Sequence, residues 1–167
     1  MSERIVLPEN IAESVTKALN NLKNEVGSVD EFLRVELGYK TKEDLFNALS
    51  DIQIDGVGLM VNSIKKGNSF VLGDQTGIGK GRQCAAMIRW AINHGITPVF
   101  LTVDQNLFTD MYRDGIDIGY KFNPLILASD PQKANITGKD GSTIVSILKG
   151  KKMDAAKEAF IAGKSGF

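Results

Sequence analysis

The sequence predicts an α/β protein, a parallel sheet with flanking helices preceded by an N-terminal helical region. Three observations carry this. Through residues 1–50 apolar side chains recur at helical spacing. From Ser69 onward short apolar runs alternate with amphipathic stretches, the spacing of βαβ units. Between the first run and its helix lies a glycine-rich turn, within VLGDQTGIGKGRQ at 71–83.

The elements follow in order. Pro8 can open a helix at its first turn, and Ile11, Val15, Leu19 and Leu22 share one face up to Gly27. Ser28 with Glu31 is a capping-box pattern for a helix stopping at Gly38, and Thr41 with Asp44 starts another. From Leu45 an apolar stripe runs on to Gly67. SFVLG at 69–73 reads as a buried strand, and RQCAAMIRWAINHG as a helix closed by Gly95. A second strand is expected at 98–103, and Asp104 is placed to cap the helix after it. PLILAS at 124–129 is a third apolar run. DPQKANITGKDG reads as a loop or irregular hairpin, STIVSIL as strand or helix, and the tail as a helix ended by Gly163. The expected domains are a helical extension over 1–50 and a partial nucleotide-binding domain over 51–167.

Composition narrows the function classes. With 43% hydrophobic and 24% charged residues the chain is of ordinary globular type. Its 20 basic and 20 acidic side chains cancel, so no global field announces a nucleic-acid or membrane partner. The single cysteine, Cys84, excludes an internal disulfide framework and fits a reducing, cytoplasmic setting. No apolar run approaches the roughly 18 residues of a membrane span. One histidine, His94, rules out a histidine-rich metal site and is expected to end a helix.

A strand, a glycine-rich turn and a helix together make an anion site, because the helix N-terminus presents unpaired N–H groups and glycines let the backbone curl around phosphates. Gly77 and Gly79 flank Ile78 where the turn is tightest, and Lys80 is set to reach the outer phosphates of a nucleotide. Against the pattern G-x-x-x-x-G-K-[ST] two positions disagree. Asp74 stands where the first glycine belongs, and Gly81 where a hydroxyl would meet Mg²⁺. The variant A-x-x-G-x-G-K-[ST] of superfamily 2 helicases removes the first disagreement, since Gly73, Gly77, Gly79 and Lys80 fit its register.

GDQTGIGKGR closely resembles the P-loop of the strawberry notch family of helicase-like superfamily 2 proteins, which carry G-K-G-R where relatives carry G-K-T. LSDIQIDGVGLMVNSIKKGNSFVLGDQTGIGKGR upstream and PVFLTVDQNLFTDMYRDGIDIG downstream resemble the same family, over roughly residues 45–130. The resemblance implies a RecA-like P-loop domain that binds ATP with Mg²⁺ and acts on DNA as a helicase or translocase. It implies that Gln53 recognises adenine, that Lys80 is the catalytic phosphate lysine, and that the backbone of Thr76, Gly77, Ile78, Gly79, Lys80 and Gly81 forms the phosphate cradle. Arg82 either touches a phosphate or an acidic neighbour, or stays solvated. Thr102, Asp104, Gln105 and Asn106 lie where the family's motif Ia meets the nucleic-acid backbone; for Asp104 the alternative is a helix cap. Such domains also occur in phage and mobile-element proteins, which implies a bacterial host cell or a virion as the setting.

A working motor needs an Asp-Glu pair on a later strand and arginine fingers from a second RecA-like domain. Neither is evident after Lys80. The chain is therefore expected to be the first part of a longer motor, without efficient turnover alone. The alternative is a non-catalytic P-loop module acting as a structural or packaged component of a phage particle.

Overall fold

The computed structural model describes residues 9–73, 77–128 and 134–162. These residues form two compact units, Met1–Pro98 and Val99–Phe167. The expected boundary at 50/51 falls inside the first unit, at a bend between two of its helices.

In the first unit, α1 (Glu9–Val26) ends at Gly27, whose φ of 78° takes the left-handed turn that reverses the chain. The Ser28 hydroxyl then accepts the Glu31 N–H at 3.2 Å and opens α2 (Val29–Glu36). The Glu31 carboxylate does not close the expected box; it pairs with Arg34 instead. Thr41 and Asp44 do form a reciprocal box, with both bonds between 3.0 and 3.1 Å, and start α3 (Lys42–Ala48).

The stripe from Leu45 to Gly67 is not one helix. Leu49 turns extended, at φ −133° and ψ 139°, and α4 (Asp51–Lys65) begins afresh after Ser50. The cause is a second box, Ser50-x-x-Gln53, in which the Gln53 side-chain oxygen accepts the Ser50 N–H at 3.0 Å. The α4 helix packs against α1, α2 and α5 (Lys80–Asn93), with Val57 and Val61 fully buried among Leu22, Leu33 and Ala86 of the unit's core. Two glycines permit the close approach. A Cβ at Gly56 would meet the Gln83 side-chain oxygen of α5 at 2.5 Å, and one at Gly58 would meet Val29 of α2 at 2.8 Å.

Contacts far apart in sequence lock α5 onto α2. The buried Arg89 guanidinium stacks on Tyr39 at 3.8 Å and donates to the Leu37 carbonyl at 2.7 Å, which Asn93 also reaches at 3.0 Å. The Glu36 carboxylate accepts from Trp90 at 2.8 Å and from Lys65, and lies 3.2 Å from His94. His94 closes α5 as expected, its Nδ1 lying 2.8 Å from the Trp90 carbonyl oxygen. Cys84 is half-buried on the same helix.

In the second unit α6 (Asn106–Asp117) starts at an N-cap Gln105 that makes no side-chain cap bond; Asp104, expected as the cap, stands one residue earlier, its carboxylate accepting the Asn106 N–H at 2.9 Å. The stretch after it resolves into a hairpin. β1 (Ile136–Thr137) and β2 (Thr143–Val145) pair antiparallel across a turn in which Asp140 accepts the Ser142 N–H and hydroxyl. STIVSIL is thus strand in part. Ile136 and Ile147 pack with Tyr112 and Ile126 in a small core. The tail helix α7 (Lys151–Ile161) ends in Ala162; the expected stop at Gly163 lies outside the described residues.

The parallel sheet is the main departure. Among the described residues the sheet is two-stranded and antiparallel, and the runs at 69–73, 98–103 and 124–128 carry no strand. Val71 is 88% exposed and Leu101 86%, so the first two runs present apolar side chains to solvent, whereas Ile126 of the third is buried in the small core of the second unit. None of the three has the lateral ladder that a parallel strand requires.

Candidate functional site

The glycine-rich loop and the start of α5 form the site. Gly73 is exposed, and the chain is described again from Gly77. Thr76, expected in the cradle, lies with Asp74 and Gln75 outside the described residues. Gly77 has φ 98° and a Cβ there would meet nothing within 4 Å, so the turn is left-handed and open. Gly79 caps α5 from the left-handed region, at φ 81°. The Arg82 and Gln83 N–H groups both bond the Gly79 carbonyl, at 3.1 and 3.3 Å. The amides ahead of them stand at the positive end of the helix dipole.

Charge placement sets this helix apart from its neighbours. The first turns of α2, α3 and α4 each carry Asp or Glu, which neutralise their own dipoles. The first turn of α5 carries none, and holds Lys80, Gly81 and Arg82. Lys80, Ile78, Gly81 and Arg82 are all half-buried around the turn. A polyanion meets here a dipole that no carboxylate of the same turn has already satisfied.

Gln53 joins this site through an unexpected route. Its side chain is buried, 7% exposed, and its amide nitrogen donates to the Ile78 carbonyl at 3.0 Å and the Gly79 carbonyl at 3.4 Å. Its oxygen is the acceptor of the Ser50 cap. The structure therefore brings Gln53 to the loop, with its amide engaged by the protein at both ends. The Ser-x-x-Gln spacing was the signal for the cap; nothing local in sequence signalled the reach to residues 78 and 79.

Thr102, Asp104, Gln105 and Asn106 belong to the second unit. The Thr102 hydroxyl accepts the Asp104 N–H at 3.1 Å, the Asp104 carboxylate accepts the Asn106 N–H, and Gln105 is the N-cap residue, in αR conformation. Asp104 and Asn106 are exposed. The turn's polar groups thus organise the helix start.

Mg²⁺ was expected beside the nucleotide. Among the described residues no cluster of three or more His, Cys, Asp or Glu side chains is poised to hold a metal, and Gly81 brings no hydroxyl. Among them, too, no helix is long and apolar enough to cross a membrane.

No curated protein and no solved structure matches the chain. The model of a family described as P-loop containing NTP hydrolase pore-1 matches residues 16–150, which takes in the latter part of α1, all of α2 to α6, the glycine-rich turn and the hairpin. A loop with Gly77 and Gly79 in left-handed conformation, a lysine at the first position of the helix and an acid-free first turn are what such a family needs for a nucleotide phosphate. The chain belongs to the P-loop containing NTP hydrolase pore-1 family.

Proposed function

We propose that the chain binds ATP through GDQTGIGKGR, within a strawberry notch-like, ATP-dependent helicase or translocase that acts on DNA. The observation that carries the reading is Lys80 at the head of α5, directly behind the left-handed Gly79 and in a first turn free of carboxylates. On this reading Lys80 holds the outer phosphates, the amides of Gly77 to Gly81 cradle them, and Arg82 adds a second cation. The apolar runs at 69–73, 98–103 and 124–128 are the strands of a RecA-like parallel sheet, which form once lateral partners cover their exposed valines and leucines. The turn from Thr102 to Asn106 faces the DNA backbone, without reading sequence. A second RecA-like domain is the partner that such a motor needs for its arginine fingers.

A second reading, nucleotide binding without turnover, is favoured by Gly81, which offers Mg²⁺ no oxygen. Calorimetry with ATP, with and without Mg²⁺, tests the site. Wild type is expected to bind, and Lys80→Ala to lose about tenfold or more in affinity, the weight of one charge-assisted contact. Equal binding by the two proteins would refute the phosphate role. ATPase assays with and without DNA then separate the motor from the binding module.

A further inference from the structure

The resemblance implies that Gln53 reads adenine; the geometry points to a different task. We infer that Gln53 is a positioning residue that braces the phosphate loop against the start of α4, and that its contribution to ligand binding is independent of the base. The inference rests on the nucleotide-binding reading above.

Three observations support it. The amide is buried and used from both ends, accepting the Ser50 N–H at 3.0 Å and donating to the Ile78 carbonyl at 3.0 Å. Reading a base edge would require the amide to give up those partners inside a buried site, where a group left unpaired is costly. Next, the loop is shaped around the amide. A Cβ at Gly79 would stand 2.3 Å from the Gln53 nitrogen, so only glycine both adopts φ 81° and leaves room for the brace. Finally, the two carbonyls that Gln53 engages belong to Ile78 and Gly79, the residues just ahead of Lys80. Fixing those carbonyls fixes the peptide planes whose N–H groups meet the phosphates. Ser50, Gln53 and Gly79 thus form one linkage from the α3–α4 bend to the phosphate cradle.

Gln53→Glu tests the donor half of the brace while keeping the helix cap. A glutamate at this position keeps the acceptor for the Ser50 N–H, since Ser-x-x-Glu is itself a capping box. It loses the donor and sets a carboxylate oxygen against two carbonyls. We expect a lower melting temperature at neutral pH, because the buried carboxylate faces two carbonyls, with affinities for ATP, GTP and inorganic tripolyphosphate all weakened by a similar factor, about tenfold. Lowering the pH should narrow the gap between variant and wild type, because the protonated carboxyl regains an O–H donor to the loop. A loss confined to ATP, with GTP and tripolyphosphate bound as before, would overturn the inference and restore base reading. Undiminished binding of all three, or a gap that does not narrow with pH, would overturn it as well. If wild type binds none of the probes, or Lys80→Ala binds them equally, the nucleotide reading itself falls and the brace falls with it.

Discussion

The helix α4 and the run at 98–103 are both rich in valine and leucine, yet they meet opposite fates. Val57 and Val61 on α4 are fully buried, whereas Val99 is 70% exposed, Leu101 86% and Val103 106%. The difference lies in where each segment finds its backbone partners. A helix satisfies its N–H and C=O groups internally, so one apolar face against α1, α2 and α5 is enough to fix it. A strand with apolar side chains on both faces needs a ladder at each edge and a cover on each side. Apolar content alone therefore does not decide burial; the source of the hydrogen bonds does.

The contrast is broken most directly by putting the same charge into each segment. Val57→Asp places an unpaired carboxylate in the helical core and is expected to cost about 3–5 kcal/mol, read as a lower urea midpoint by circular dichroism. Val99→Asp, at a site already facing solvent, is expected to stay within about 0.5 kcal/mol of wild type. A comparable loss from both would show that the run at 98–103 is covered, as the proposed parallel sheet demands once its strands pair.

A gentler probe compares two helical glycines. In an exposed helix, glycine to alanine gains about 1 kcal/mol from propensity. At Gly56 the new Cβ would stand 2.5 Å from the side-chain oxygen of Gln83, which is fully buried and has no room to retreat. Gly56→Ala is expected to destabilise by about 1–3 kcal/mol, against the propensity trend. At Gly115 on α6 the nearest atoms are the edge of the half-buried Phe122 ring at 2.4 Å, which stacks edge-on against Tyr112, and the Tyr120 carbonyl oxygen at 3.2 Å. Gly115→Ala is expected to destabilise less, by about 1 kcal/mol, as propensity offsets part of the repacking. Thermal melts of the two variants decide this; the reverse order would place the tighter packing in the second unit.

Legibility in the sequence followed the same division. Helix starts at Ser28 and Thr41 were readable, because a cap is a contact between residues three apart, whereas at Asp104 the expected cap fell one residue ahead of the true one. The break at Leu49 was equally local, written in Ser50-x-x-Gln53, but the apolar stripe running through it masked the signal. The glycine-rich turn was legible as belonging to a P-loop family for the same reason: its motif is contiguous. What sequence could not give was any contact spanning fifty residues, such as Arg89 on the Leu37 carbonyl or Trp90 on Glu36. Nor could it say whether an apolar run finds lateral partners, since those lie on other segments. The engagement of Gln53 with the loop belongs to this class, a separation of 25 residues joined through a buried amide.

The smallest expected effect concerns pH and the long-range contacts of α5. Burial works to raise the Glu36 carboxyl, but hydrogen bonds from Lys65 and Trp90, with the charges of Lys65 and His94, outweigh it and hold the group below its ordinary 4.5. A carboxylate whose folded value is depressed contributes stability that is present above the unfolded value and is lost as pH falls through the folded one. The helical unit should therefore weaken as pH drops below about 4.5, when the carboxylate that gathers Lys65 and Trp90 takes up its proton. Lys65 is about half exposed, which screens the pair, so the contribution at neutral pH is expected to be about 1 kcal/mol or less. Glu36→Gln keeps an acceptor for Trp90 and removes the titration. Its melting temperature should lie slightly below wild type at pH 7 and approach it at pH 3. A constant difference across that range would mean that Glu36 stabilises α5 by shape and hydrogen bonding alone, without its charge.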